Sequence, residues 1–363
     1  MDGSLEKTDS KTSSSAFAPA LNIGVATEGE NICALSFQAA LGRAIDFVTS
    51  TFEQEIKRKQ LYYHGMDHVQ GVARRAFLIF DVLVPFLEAD SGLLAMAKGP
   101  EARALASDWS RQRDLLYLSA IAHDMLQLFL PQDDPHRTRQ RESGRSEAAT
   151  FEQLHQWMDQ LNHAFVRSDC ADPTGLPFRQ SDIDLIREAI AATVCQLDPT
   201  EGAIYQPQLY PAKHPPTRSL SAPPNISLVA RCLALADIGT LGIDGIAAYQ
   251  KEGSLLLLEE NLDVAEFVTG TVDLSSDEQE GLRLRLLKRA RFQVAFAKSR
   301  LARIDLELRG LPAPAIRALK QVVFTHLTPA TVARIENTTP TDQHTSLSTL
   351  LAFFQVERYV HEA

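Results

Sequence analysis

Two histidines four residues apart, His64 and His68, stand in the stretch LYYHGMDHVQ, beside Asp67, in a chain with only ten histidines. A second polar pair, His123–Asp124, interrupts the apolar run LSAIAHDMLQ, and a lone carboxylate, Asp237, interrupts LALADIGTLG. An unpaired polar group in an apolar setting is costly, so each needs a reason to be there. Metal coordination is one such reason. Imidazole nitrogen and carboxylate oxygen suit zinc, manganese, iron, cobalt or magnesium, and His68, His123, Asp124 and Asp237 together offer two nitrogens and two carboxylates. In an octahedral site two positions remain for water and substrate. The competing explanations are a buried ion pair or helix-end pair for His123–Asp124, a helix cap before Gly239 for Asp237, and a hydrogen bond within a loop for His64. Were residues 64 to 68 helical, their offset would put both histidines on one face. Asp67 reads as a solvated helix residue.

The elements that must position these groups are helical. In ALSFQAALGRAIDFVTSTFEQEI, Phe37, Leu41, Ile45, Val48, Phe52 and Ile56 recur every three or four residues. Comparable spacing follows in six further segments, up to the long GLRLRLLKRARFQVAFAKSRLARIDLELRGL. Strand signals are scarce, QVVFTH being the only weak one. The expected class is all-α, an irregular multi-helix bundle. Residues 1–33 have the weak hydrophobicity of a disordered tail. The main domain is expected over 34–310 and a C-terminal helical extension over 311–363. Two loops, 131–145 and the proline-rich 205–225, are long enough to overhang a site. The basic residues between 283 and 303 read as one solvated face of an amphipathic helix.

Composition narrows the function classes. The formal net charge of -10 argues against general nucleic-acid binding through a basic surface. A small anionic substrate stays open, because a divalent cation can reverse the local field. Four widely spaced cysteines without a C-x-x-C pair argue against a disulfide framework or structural zinc and favour a reducing cytoplasm. No apolar run is long enough to span a bilayer, and the N-terminus does not read as a signal peptide.

The ordered set His68, His123–Asp124 and Asp237 resembles the H…HD…D signature of the HD-domain superfamily of metal-dependent phosphohydrolases. YYHGMDHVQGV is similar to the YHNxxH segment of cyclic-nucleotide phosphodiesterases and of a group of predicted HD hydrolases. AIAHDM resembles their HD motif, SEAAT a following segment with glutamate, EAIAATVCQ a later helix with threonine, and LALADIGTLG the final Asp motif. RARFQVAFAKSRLARIDL is similar to their C-terminal helix, so the likeness runs over roughly residues 40 to 310. The resemblance implies that His68, His123, Asp124 and Asp237 hold a divalent metal ion and that His64 is the general acid. It also gives Glu147 a role in orienting water or ligand, although a glutamate opening a helix is favoured by the dipole anyway. The chemistry agrees. A divalent cation lowers the pKa of a bound water and polarises phosphoryl oxygens, while an imidazole can protonate a leaving oxygen near neutral pH. The implied activity is hydrolysis of a phosphomonoester or phosphodiester, with a nucleotide among the candidates. Three departures stand out: Gly65 replaces the asparagine, only Gln127 follows the HD pair, and Gln196 stands three after Thr193. They favour a single ion, and they make a non-catalytic module binding a nucleotide or a protein partner the alternative.

Overall fold

The computed structural model describes residues 35–88, 104, 108–168, 175–209 and 225–362. The expected tail lies outside these residues, as do Cys33, Cys170 and most of the 205–225 loop. Among the described residues the fold is an all-α bundle of fourteen helices with one two-stranded hairpin. None of its helices is long and apolar enough to cross a membrane, and Cys195 and Cys232 are free thiols.

Four helices form the centre: α2 (Met66–Glu88), α3 (Trp109–Ala122), α5 (Gln180–Ala192) and α6 (Leu228–Asp237), with α1 (Phe37–Lys59) and α4 (Arg145–Arg167) against them. Ser36 caps α1 by accepting from the Ala39 amide, and Ser227 caps α6 by accepting from Ala230. The second half of α3 and most of α6 are apolar on nearly every side. Leu115, Leu116, Leu118 and Ala120–Ala122 are buried in the first, and every residue from Val229 to Ala236 in the second. A helix apolar all round belongs inside, so these two run through the core. Both reach their C-terminal ends at the polar residues singled out above.

The hairpin β1 (Gln196–Asp198) and β2 (Ala203–Tyr205) pairs Gln196 with Tyr205 and follows α5. Its strands are too short to leave a legible alternation. Beyond α6 come α7 (Thr240–Ile243), α8 (Ile246–Glu260), α9 (Leu262–Val268) and the 32-residue α10 (Ser276–Glu307), opened by a capping box between Ser275 and Glu278. The chain closes with α11 (Ala313–Ala318), α12 (Pro329–Thr338), α13 (Leu347–Phe353) and α14 (Val356–Glu362). Ala315, Leu319, Val323 and Phe324 join the main core, whereas Leu350, Phe354 and Tyr359 pack with Leu258, Leu282 and Leu286 of α8 and α10.

Two local expectations are corrected. QVVFTH is no strand; Leu319–Val323 form a π-helical turn continuing α11, with Val323 and Phe324 turned into the core. Nor is the basic run of α10 a solvated face throughout. Arg300 and Arg303 are buried, Arg300 pairing with Glu307 and Arg303 with Asp198 and Glu201 of the hairpin, while Arg285 grips Asp263. The guanidinium groups fasten α10 to the elements around it, a use that helical periodicity does not reveal.

Candidate metal centre and its cavity

The chain reaches the site by three routes. His68 is the third residue of α2, and His64 lies in the bend before that helix, so the two do not share a helix face. Their rings nevertheless come within 5.9 Å between centroids, because the bend turns His64 back toward the helix. His123 is the C-cap of α3, and Asp124 follows in the turn. The pair thus stands at a helix end rather than inside the helix. Asp237 is the last residue of α6. An added Cβ at Gly239 would meet the Leu235 carbonyl oxygen at 2.5 Å, so the chain can leave α6 this tightly only with glycine there. The C-terminal ends of α3 and α6 both carry negative partial charge, which favours a cation between them.

His68, His123, Asp124 and Asp237 offer ligand atoms that all lie within 4.8 Å of one another. His123 Nε2 is 3.0 Å from Asp124 Oδ2 and 3.6 Å from Asp237 Oδ1; His68 Nε2 is 3.2 Å and 3.8 Å from the same oxygens. These approaches do not have hydrogen-bond geometry, and the buried Nε2 atoms of both histidines are without a hydrogen-bond partner. His123 Nδ1 contacts the Ala120 carbonyl at 2.7 Å. A carbonyl only accepts, so that nitrogen carries the hydrogen and, in the neutral imidazole, Nε2 presents a lone pair to the cluster.

Each carboxylate is steadied on its outer oxygen by a buried glutamine. Gln127 Nε2 donates to Asp124 Oδ1 at 3.0 Å, and Gln206 Nε2 donates to Asp237 Oδ2 at 3.0 Å, so Oδ2 of Asp124 and Oδ1 of Asp237 turn toward the imidazoles. Burial opposes charge on His123, yet Asp124 and Asp237 beside it raise its pKa well above the usual imidazole range. Burial likewise opposes charge on Asp124, but His123 and His64 hold it well below the usual carboxylate range. Two carboxylates this close need positive charge among them, supplied by protons on the imidazoles or by a cation. The orphaned Nε2 atoms, the anchored carboxylates and the mixed nitrogen–oxygen donor set fit a divalent ion. The group could hold one, of undetermined identity.

His64 belongs to an adjoining network. Its Nδ1 makes a short contact with Glu259, whose other oxygen accepts from the amides of Tyr63 and His64 at 3.0 Å. Burial would raise the pKa of Glu259; His64 and Arg141 overcome it and bring it down to about 2. His64 Nε2 faces Asp124 Oδ2 at 3.7 Å and receives Nη1 of Arg141 at 3.0 Å. Asp67 is exposed on α2 and takes no part in this cluster.

A cavity of ≈ 810 Å³ opens over Asp124, Asp237 and His64. Glu147, in the first turn of α4, lines it. Its pKa is raised by burial, with Asp124 and Asp237 adding to the effect. Loop 131–145 forms one wall. It is tied down by a bridge between Phe129 and Arg141, by the Leu130 amide on the Gln140 carbonyl, and by the Arg139 amide on the Glu260 carbonyl. The lining also includes Tyr249, Phe292 and Phe296 together with Gln293, whose amide nitrogen and oxygen are both buried without a partner. An added Cβ at Gly253 would fall 1.8 Å from Gln293 Nε2, so glycine leaves that amide its place.

Sequence reading finds the four ligand candidates, His64 and Glu147, and the fold brings all six to one place. It misses Gln206, Glu259, Arg141 and Gln293. Glu259 had a signal of the same kind as Asp237, a carboxylate ending the apolar run SLLLLEE; the others stand in polar or mixed surroundings and have none. No family model, no curated protein and no solved structure matches this chain.

Proposed function

We propose that this chain is a metal-dependent phosphohydrolase of the HD type that cleaves a phosphomonoester or phosphodiester, with a nucleotide as the favoured substrate class. The observation that carries the reading is the pair of orphaned imidazole nitrogens facing two anchored carboxylates that line a large cavity. The volume lies in the range of small-molecule sites. The aromatic lining with an unpartnered amide suits a planar base that both stacks and hydrogen-bonds.

Held by His68, His123, Asp124 and Asp237, a divalent cation supplies Lewis acidity and a nucleophilic water near neutral pH. The protein supplies the rest. Gln127 and Gln206 fix the outer carboxylate oxygens and so orient the inner ones. Glu147 orients the attacking water and takes its proton as the new P–O bond forms. As the bond to the leaving group breaks, His64 Nε2 delivers a proton to the departing oxygen, and Glu259 steadies the imidazolium through Nδ1. Loop 131–145 limits access of bulk water.

One contact favours a second reading. Arg141 donates to His64 Nε2, the nitrogen the acid role requires, which suits a regulatory module that binds a nucleotide or partner protein without turnover. Metal analysis of the purified protein beside Asp124→Ala, followed by a panel of nucleotides and aryl phosphates, separates the two. Stoichiometric metal, turnover, and loss of turnover in His64→Ala with metal retained support the enzyme. Metal-replete protein that hydrolyses nothing in the panel ends that reading, and stabilisation by a nucleotide without turnover establishes the second.

A further inference from the structure

Three guanidinium groups line the cavity, and they are not equally committed. Arg139 donates to the carbonyls of Lys59 at 3.1 Å and Glu259 at 3.2 Å and lies 3.6 Å over the Phe129 ring, a structural placement. Arg289 pairs with Glu260 at 3.4 Å and packs over Phe292. Arg141 instead rests on two side chains that carry no negative charge, the Gln127 amide oxygen and His64 Nε2, with Glu260 at a longer 3.7 Å. A guanidinium fork matches a two-oxygen anion, and elsewhere in this chain it finds one, as Arg285 does on Asp263.

We propose that Arg141 is the phosphoryl-positioning residue of this site: its guanidinium is parked on His64 and Gln127 and passes to the phosphoryl oxygens of an arriving substrate. The inference rests on the phosphohydrolase reading above. Gln127 binds Arg141 through Oε1 and Asp124 through Nε2, so the guanidinium stands one side chain away from a candidate metal ligand. The backbone of Arg141 is held by its bridge to Phe129, so the transfer needs only side-chain rotation. The same movement uncovers His64 Nε2. The contact that argues against His64 as an acid then becomes a cover, removed when a phosphoryl anion is in place.

The test uses the full chain loaded with manganese and inorganic phosphate as the probe, followed by calorimetry, with metal content and helical circular dichroism measured for each variant. Arg141→Ala is expected to bind phosphate about 10- to 100-fold more weakly with its metal retained, the loss of one charge-assisted contact. In hydrolysis its KM rises by a similar factor while kcat changes less. Arg141→Lys restores part of the affinity, because it returns the charge without the fork. If Arg141→Ala does not keep its metal or its helices, Arg141→Met, which keeps the length of the stem, takes its place. Phosphate affinity and KM equal to wild type in the variant overturn the positioning role and leave the phosphohydrolase reading intact. Metal-loaded wild type that binds no phosphate in the millimolar range overturns both.

Discussion

Two buried acid–base clusters in this chain are made of similar parts and end differently. At the foot of α5, Arg111 donates to both oxygens of Asp182, one at 2.9 Å, and also to the Pro177 carbonyl, while the Arg179 amide donates to Asp182 Oδ2. Asp182 closes a helix cap and Arg111 lies over the Phe37 ring, so each strong valence has a partner. Between α3 and α6 each carboxylate is held on its outer oxygen by one glutamine amide, and its inner oxygen meets imidazole Nε2 atoms that have no hydrogen-bond partner. The first cluster is saturated and the second is not. Burial alone does not mark a site; burial with unspent valence does.

That contrast can be broken in several ways. The largest effect is expected for Asp124→Ala, which removes stoichiometric metal from the purified protein; chelation should lower the thermal midpoint of wild type and leave this variant unmoved. A variant that retains full metal content sinks the assignment. Next is Arg111→Ala in the saturated cluster, expected to cost about 3–5 kcal/mol in urea unfolding because it strands a buried carboxylate, with metal content per folded molecule unchanged. If it costs stability no more than an exposed substitution, the two clusters are not distinguished by saturation.

Glu259 supplies an intermediate case. Its folded pKa of about 2 lies below the ordinary value of 4.5, so its stabilisation is complete above about pH 4.5 and is lost as pH falls toward 2. The contribution is at most about 3 kcal/mol. Unfolding measured between pH 6 and 2 should therefore show a steeper acid loss for wild type than for Glu259→Gln, and parallel curves would refute the pairing with His64. The smallest effect is expected for Gln206→Ala, which frees Asp237 Oδ2 and weakens metal affinity about 10- to 100-fold without abolishing it, as read by competition with a chelating dye.

The helical class was legible because apolar residues return at helical spacing along most of the chain, although the buried face of α1 runs through Ala40, Leu41, Ala44, Val48 and Phe52, with Phe37, Ile45 and Ile56 only half covered. Three of the six candidate site residues were legible for a related reason, whereas His64 and His68 stood out by their spacing and Glu147 only by the resemblance of its segment to a family motif. His123, Asp124 and Asp237 break apolar runs that predict burial, and a buried polar side chain advertises itself. The hairpin and the π-helical turn were not legible, since three-residue strands and a single wide turn leave no periodic mark. Arg300 and Arg303 were read as solvated because charge ordinarily seeks water; only their acidic partners, up to 105 residues away in sequence, reverse that.

Sequence by itself determined that this chain is helical and that it places imidazoles and carboxylates where apolar residues are expected, because periodicity and its interruptions are local properties. Tertiary structure decided which of those residues meet. It brought the ends of α3 and α6 together and turned His64 onto Glu259. It also set Gln127 and Gln206 behind the carboxylates and laid Arg141 over the histidine. Those are contacts between distant segments, and their geometry depends on how whole helices pack, which no short stretch of residues encodes.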